Sequence, residues 1–328
     1  MKVLAINQIE VEELLPMNEC IDVMEKAFIA LARGDIEQPL RTIFRPATVK
    51  GVMAMMPAYR GGDTPLFGLK AICVFPGNAA IGKDAHQGAV VLFDGRTGEL
   101  LAIVNASAIT AIRTAAVSAL ATKVLANQTA SSLAIIGAGV QARAHLSAIA
   151  CVRKLEQVRV AARHYDRAEQ FARDMQSQVQ CRIEAVDTAE AAVRDASIIV
   201  TATTSREPVL RREWIADGAH INAIGTFSPN ARELDTATIA SCSLFVDRRE
   251  SVFNEAGDYL IAASEGAIGP DTIRAELGEL LIARHPGRTS KDEITVFKSL
   301  GLAMEDLAAA EYCYRKAEEL NSGTRVSV

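Results

Sequence analysis

The chain has 328 residues, enough for two domains at roughly 150 residues each. Its 49% hydrophobic and 23% charged residues, with 21 Gly and 10 Pro, are ordinary globular proportions and exclude disordered, collagen-like and low-complexity classes. The 35 basic and 40 acidic side chains leave a net charge of −5, which offers no general attraction to nucleic acid or an anionic membrane, so neither is expected as a partner.

The first predicted element is an amphipathic helix. Asn18, after Pro16, is the expected N-cap; Ile21, Met24, Phe28 and Leu31 recur at helical spacing, and Gly34 ends the run. Short β-rich stretches follow at 67–75 and 89–93, and the turn Asp94-Gly95-Arg96-Thr97-Gly98 leads into a strand at 100–104, a hairpin pattern. An Ala-rich helix is predicted from Thr110 to Ala126. From Leu133 strands alternate with helices: strands at 133–136, 158–162, 183–186, 198–202, 220–224 and 244–246, with helices such as 140–152 and 167–176. That alternation predicts a parallel sheet covered on both faces. A last helix, 302–320, has no strand partner and is expected to pack back on the N-terminal half. No flexible tether is visible, so the domain boundaries are expected inside helices.

No unbroken apolar run reaches the ~18 residues that span a bilayer. Asn7, Gln8, Glu10, Glu12 and Glu13 interrupt the start of the chain where a signal peptide needs its apolar core. Cys20, Cys73, Cys151, Cys181, Cys242 and Cys313 form no C-x-x-C pair, which argues against a zinc ribbon or redox dithiol. Free thiols in a reducing compartment are the simpler reading, so a cytoplasmic protein without a metal is expected.

The strongest local motif is Gly137-Ala138-Gly139-Val140-Gln141-Ala142, a G-x-G-x-x-A between a predicted strand and a predicted helix. In that context Gly137 permits a tight turn, Gly139 lets the backbone approach a pyrophosphate, and Ala142 allows close helix packing. The phosphates would rest on the N–H groups of Val140 and Gln141. About 20 residues on, an acid reads the 2′-hydroxyl of NAD, or a basic side chain accommodates a 2′-phosphate. Here the second strand ends in Arg163-His164, with Arg167 a turn later, and Asp166 reads as a helix cap. The pattern favours NADPH, with NADH possible; the alternative for Arg163 is a solvated surface charge.

Two further charges sit in apolar surroundings: Lys70 in Phe67-Gly68-Leu69-Lys70-Ala71-Ile72 and Arg113 in Ala108-Ile109-Thr110-Ala111-Ile112-Arg113. Burying either demands an anion, which a substrate carboxylate or an internal salt bridge would supply.

These features lie within a wider resemblance, along nearly the whole chain, to the ornithine cyclodeaminase/mu-crystallin family. It is carried by Gly68-Leu69-Lys70, the segment 92–100, Arg113-Thr114-Ala115-Ala116, the segment 136–142, Asn222-Ala223-Ile224-Gly225, Arg232-Glu233-Leu234-Asp235 and the segment 297–306. The resemblance implies an α/β fold: a Rossmann-type doubly wound parallel sheet at 115–299 inserted into an α+β substrate-binding and dimerisation domain at 1–114 and 300–328. It implies a homodimer and a small imino or amino acid as ligand.

By the same resemblance Arg41, Lys70 and Arg113 hold a substrate carboxylate, Met56 contacts substrate, and Phe227 lies at the site. Cofactor contacts fall to Arg113, Thr114, Gly137, Gly139, Val140, Gln141, Arg163, Thr203, Asn222, Ala223 and Ile224. Cyclodeaminases carry an acid where this chain has Ala54 and a catalytic aspartate where it has Phe227. Loss of both removes a cation site and an acid/base, which points to the imino-acid reductase branch. The expected activity is reduction of Δ1-pyrroline-2-carboxylate to L-proline, and next of Δ1-piperideine-2-carboxylate to L-pipecolate. Alanine dehydrogenase, ornithine cyclodeaminase and a mu-crystallin-like NADPH-dependent binding protein are the alternatives. Lys70 is the first candidate for proton relay and His86 the second, unless His86 merely packs beside a strand.

Overall fold

The computed structural model describes residues 2–328, apart from the side chains at 79 and 80. It divides into two units, Met1–Thr114 with Gly301–Val328, and Ala115–Leu300; the expected limits differ from these at residue 300 alone.

The first unit is built on an eight-stranded sheet. Its order is Thr324–Ser327, Lys2–Ile6, Leu100–Asn105, His86–Asp94, Leu66–Val74, Val52–Arg60 and Ile36–Glu37, with Thr42–Phe44 also paired to Val52–Arg60. Lys2–Ile6 runs parallel to Leu100–Asn105, and every other pair is antiparallel. Alternation along Leu66–Val74 buries Leu66, Gly68, Lys70, Ile72 and Val74 on one face. The C-terminal helix Ala303–Leu320 covers that face, so closely that a Cβ on Gly68 would lie 2.6 Å from Leu307. The expected return of the last helix onto the N-terminal half is thus observed. Helix Met17–Arg33 packs against it in turn.

The opposite face stays open, with Phe44 60%, Met53 40%, Phe67 47% and Ile103 37% exposed.

Several expectations need correction here. The helix Met17–Arg33 starts at Pro16 without a side-chain cap, so Asn18 lies inside its first turn; Gly34 closes it at φ +84°, as expected. The strand Val52–Arg60 was not foreseen, because Met, Ala and Pro57 carry little strand signal. The Ala-rich helix runs Ala106–Leu125, starting four residues before Thr110, and Asn105 caps it by accepting from the Ala108 amide at 2.9 Å. By average composition it is long and apolar enough to cross a membrane, although Arg113 and its hydroxyl residues break any continuous apolar run; most of it is buried.

The second unit is an eight-stranded sheet, parallel throughout. Its order is Ile183–Ala185, Gln157–Ala161, Ser132–Ile136, Ile198–Thr201, His220–Ala223, Thr295–Lys298, Ser243–Val246 and Ile273–Glu276. The first five read 3-2-1-4-5 in chain order, the doubly wound arrangement whose direction reverses between Ser132–Ile136 and Ile198–Thr201. Two strands went unforeseen: Ile273–Glu276, and Thr295–Lys298, which ends on a buried lysine. One unit boundary falls inside the helix Ala106–Leu125. The other does not fall in a helix: it lies where Gly301, at φ +78°, turns the chain between strand Thr295–Lys298 and helix Ala303–Leu320.

Candidate active site: a buried charge cluster and a dinucleotide cradle

In the first unit the register sets Met56 directly opposite Lys70, on the face that the C-terminal helix covers. Lys70 is 2% exposed, and its ammonium stands 2.6 Å from Asp306 at the start of that helix. Arg113 donates from Nε to Asp306 at 3.0 Å and from its terminal nitrogen to Glu305 at 2.5 Å. Arg41 donates to the Gly301 carbonyl at 2.8 Å, and a Cβ on Gly301 would come within 2.4 Å of the Arg113 guanidinium. Three cations therefore gather around two carboxylates under one helix terminus. The anion that burial of Lys70 and Arg113 demanded is supplied from within the chain, as the internal salt bridge weighed above.

Burial pushes the Lys70 ammonium down to about 8, with Asp306 resisting and Arg113 reinforcing the shift. Arg113 is also penalised by burial, but Asp306 and Glu305 outweigh this and raise its pKa. His86 opens the strand His86–Asp94, half-buried; desolvation first, then the Lys70 and Arg113 charges, hold it below the ordinary histidine value. Ala54 lies on the same face as Met56, two positions along, and is buried. Glu305 and Asp306 had no role in the sequence reading; two adjacent acids opening an Ala- and Leu-rich helix were their signal.

In the second unit Gly137 adopts φ +117°, and a Cβ there would meet the Ala202 carbonyl at 2.4 Å, so the turn requires glycine. Gly139 is the N-cap of helix Val140–Val152, where no side chain caps the first turn. A Cβ on Gly139 meets nothing within 4 Å, leaving the open approach that a pyrophosphate needs. Val140 is 62% exposed in that turn, Gln141 is half-buried, and Ala142 is sealed against the core. Arg163 and Arg167 lie exposed just beyond strand Gln157–Ala161, with no carboxylate paired to either among the described residues. Asp166 is not the cap of the next helix: His164 is, and Asp166 sits in the first turn. These residues fit a dinucleotide phosphate.

Other expected cofactor contacts are more constrained. Thr114, in the first unit, donates its hydroxyl back along its helix to Thr110 at 2.6 Å. Asn222 is fully buried and donates to Thr122 Oγ1 at 2.9 Å, so its side chain serves the interior, and Ala223 is sealed as well. Ile224 emerges partly at the strand end. Thr203 donates both its amide and its hydroxyl to Glu233, at 2.7 and 2.8 Å. Phe227 lies in the second unit, 37% exposed in the loop after strand His220–Ala223.

Sequence reasoning also missed a buried line of hydrogen bonds. His145 Nδ1 stands 2.7 Å from the Gln141 carbonyl and Nε2 2.9 Å from the Ser118 hydroxyl. A carbonyl only accepts, so the proton is on Nδ1 and Ser118 donates to Nε2. Burial pushes this histidine down to about 4, keeping it neutral. Thr122 donates to the Ser118 carbonyl at 2.8 Å, and Asn222 completes the line.

The parallel sheet, its switch point and the uncapped glycine turn make the second unit a dinucleotide-binding domain of the Rossmann class. A family model described as "Ornithine cyclodeaminase/mu-crystallin family" matches residues 2–321, and the chain belongs to that family. It is 38% identical to Δ1-pyrroline-2-carboxylate reductase of Bacillus cereus (98% of this chain, 99% of the relative). It is 40% identical to the ketimine reductase mu-crystallin of Mus musculus (86% and 85%). Among solved structures, Thermococcus litoralis Δ1-pyrroline-2-carboxylate reductase in complex with NADH and L-proline superposes with a TM-score of 0.96 at 39% identity, covering 99% of this chain and 100% of that one.

Proposed function

We propose that this chain is an imino-acid reductase that converts Δ1-pyrroline-2-carboxylate to L-proline, and next Δ1-piperideine-2-carboxylate to L-pipecolate, using NAD(P)H. The observation that carries this reading is the full-length likeness to a reductase bound to NADH and L-proline, at a TM-score of 0.96. Arg41, Lys70 and Arg113 hold the substrate carboxylate, fixing the C=N bond in one orientation. Met56, opposite Lys70, and the small buried Ala54 leave an apolar wall that suits a compact ring. A bound nicotinamide supplies the hydride for the imine carbon. Lys70, its pKa lowered to about 8 by burial, gives a proton to the imine nitrogen and regains it from solvent between turnovers. His86, held below the ordinary histidine value by burial and by the Lys70 and Arg113 charges, is the second candidate for that relay.

NADPH is the preferred cofactor in this proposal, because Arg163 stands exposed where an NAD enzyme carries an acid. The open sheet face bearing Phe44, Met53, Phe67 and Ile103 is covered by a second copy of the chain, giving a homodimer. A cytoplasmic setting accords with six unpaired cysteines, of which the buried Cys20, Cys242 and Cys313 are pushed up by desolvation and kept as thiols.

The test is oxidation of NADPH and NADH with a substrate panel. Turnover of Δ1-pyrroline-2-carboxylate is expected. Turnover only of pyruvate with ammonia, ammonia release from ornithine, or binding without turnover would each overturn the reading.

A further inference from the structure

Glu233 is fully buried and takes four hydrogen bonds from the ends of two neighbouring strands. Thr203 N and Oγ1 donate to Oε1 at 2.7 and 2.8 Å, and Thr201 Oγ1 and Gly225 N donate to Oε2 at 2.8 and 2.7 Å. A Cβ on Gly225 would lie 2.3 Å from Glu233 Oε1 and 2.3 Å from the Thr203 carbonyl, so both loops close directly on the carboxylate. Glu233 is itself anchored. Asp258 accepts from the Glu233 and Leu234 amides at 2.7 and 2.9 Å and pairs with the buried Lys298 at 2.8 Å, while Lys298 also donates to the Thr226 carbonyl at 2.8 Å. Burial raises Asp258, but the Lys298 charge and the backbone donors outweigh it and hold it ionised.

A doubly wound sheet binds its dinucleotide as two mononucleotides, one on each side of the switch point. The glycine turn and Arg163 belong to the strand 1–3 half, which takes the adenosine side. The strand ends tied by Glu233 belong to the other half, which leaves them the nicotinamide side. We propose that Glu233 is a positioning residue for the nicotinamide half of the cofactor site, holding the two loops after strands Ile198–Thr201 and His220–Ala223 in one geometry without touching the ligand. The inference rests on the reading of the second unit as a dinucleotide site and not on the identity of the imino acid.

Glu233→Gln keeps the size but places an NH2 group against donors that cannot all turn away, since two are backbone amides. Binding is measured by calorimetry for NADH and separately for ADP, which lacks the nicotinamide half. The expected result is a rise of about tenfold in the dissociation constant for NADH, with that for ADP changed less than twofold, since one lost charge-assisted hydrogen bond is worth a factor of that order. Thr201→Val removes one of the four donors at nearly constant shape and carries the test should Glu233→Gln not fold; a smaller loss confined to NADH is expected. Equal losses for both ligands, or none, would overturn the proposal, because a purely structural carboxylate does not distinguish the halves. Failure of the native protein to bind either ligand would overturn the dinucleotide reading and this inference together. Loss of imino-acid turnover alone would touch only the proposed function.

Discussion

Asp306 Oδ2 lies 2.6 Å from the Lys70 ammonium, and both side chains are almost wholly sealed from water. Asp306 is the nearest group that favours the charged lysine, while desolvation and Arg113 oppose it. With Lys70 held at about 8, kcat/KM for the imino acid is expected to fall as pH rises through about 8, where the proton to be delivered is lost. In Asp306→Asn that descending limb moves to lower pH, and breaking a buried pair destabilises the fold by about 3–5 kcal/mol. A pH–rate profile and a denaturant titration check both; an unmoved limb would remove Lys70 as the proton donor.

Stability has its own pH dependence at this lysine. Its folded pKa lies below the ordinary 10.5, so between about 8 and 10.5 the unfolded chain binds a proton that the folded chain has released. The Lys70 contribution therefore rises with pH across that window, and the penalty is fully present below it. Lys70→Met is expected to abolish this rise, read as the difference between wild-type and variant unfolding free energies against pH.

Lys70→Met and Arg113→Met are each expected to lower kcat/KM by roughly 100-fold or more, since a charge-assisted hydrogen bond contributes about 1.5–3 kcal/mol and a misplaced imine adds to the loss. Arg113→Met also leaves Glu305 and Asp306 short of a cation, so its melting temperature should fall further. Near-normal turnover by Lys70→Met would contradict the carboxylate role.

Arg163→Asp should weaken use of NADPH and improve NADH relative to it, by replacing a phosphate partner with a like charge. The ratio of kcat/KM for the two cofactors is the readout, and an unchanged ratio would mean that the 2′-phosphate is read elsewhere.

Restoring acids through Ala54→Glu and Phe227→Asp should depress the reductase by setting charge against an apolar ring. Full cyclodeaminase activity is not expected to arise, because a catalytic acid also needs supporting groups. Ammonia release from L-ornithine, before and after substitution, is the measurement.

The regular part of this fold was legible because its signals are local: a glycine turn between strand and helix, short apolar strands at even spacing, a left-handed Gly34. Lys70 and Arg113 stood out as charges in apolar runs. Their partners did not, since Arg113 and Asp306 are 193 residues apart and nothing in the chain between them encodes the meeting. Val52–Arg60 was obscured by residues with little strand preference, and it is its register that sets Met56 opposite Lys70. Asn222 was recognised as part of a segment, but its side chain turns inward to Thr122, a direction that only packing decides.

The line from the Gln141 carbonyl through His145, Ser118 and Thr122 to Asn222 limits how this sequence can drift. Each member has one tautomer or rotor setting that satisfies its neighbour, so an aliphatic replacement at Ser118 strands the His145 ring nitrogen, and one at Thr122 strands the Asn222 amide. Such changes are tolerated best in concert, with His145 and Ser118 becoming apolar together, and they should show strong non-additivity when made singly and as a pair. In an alignment of relatives these positions are expected to covary across the fingerprint helix, the long Ala-rich helix and the fifth strand, a trace of packing history independent of which ring the enzyme reduces.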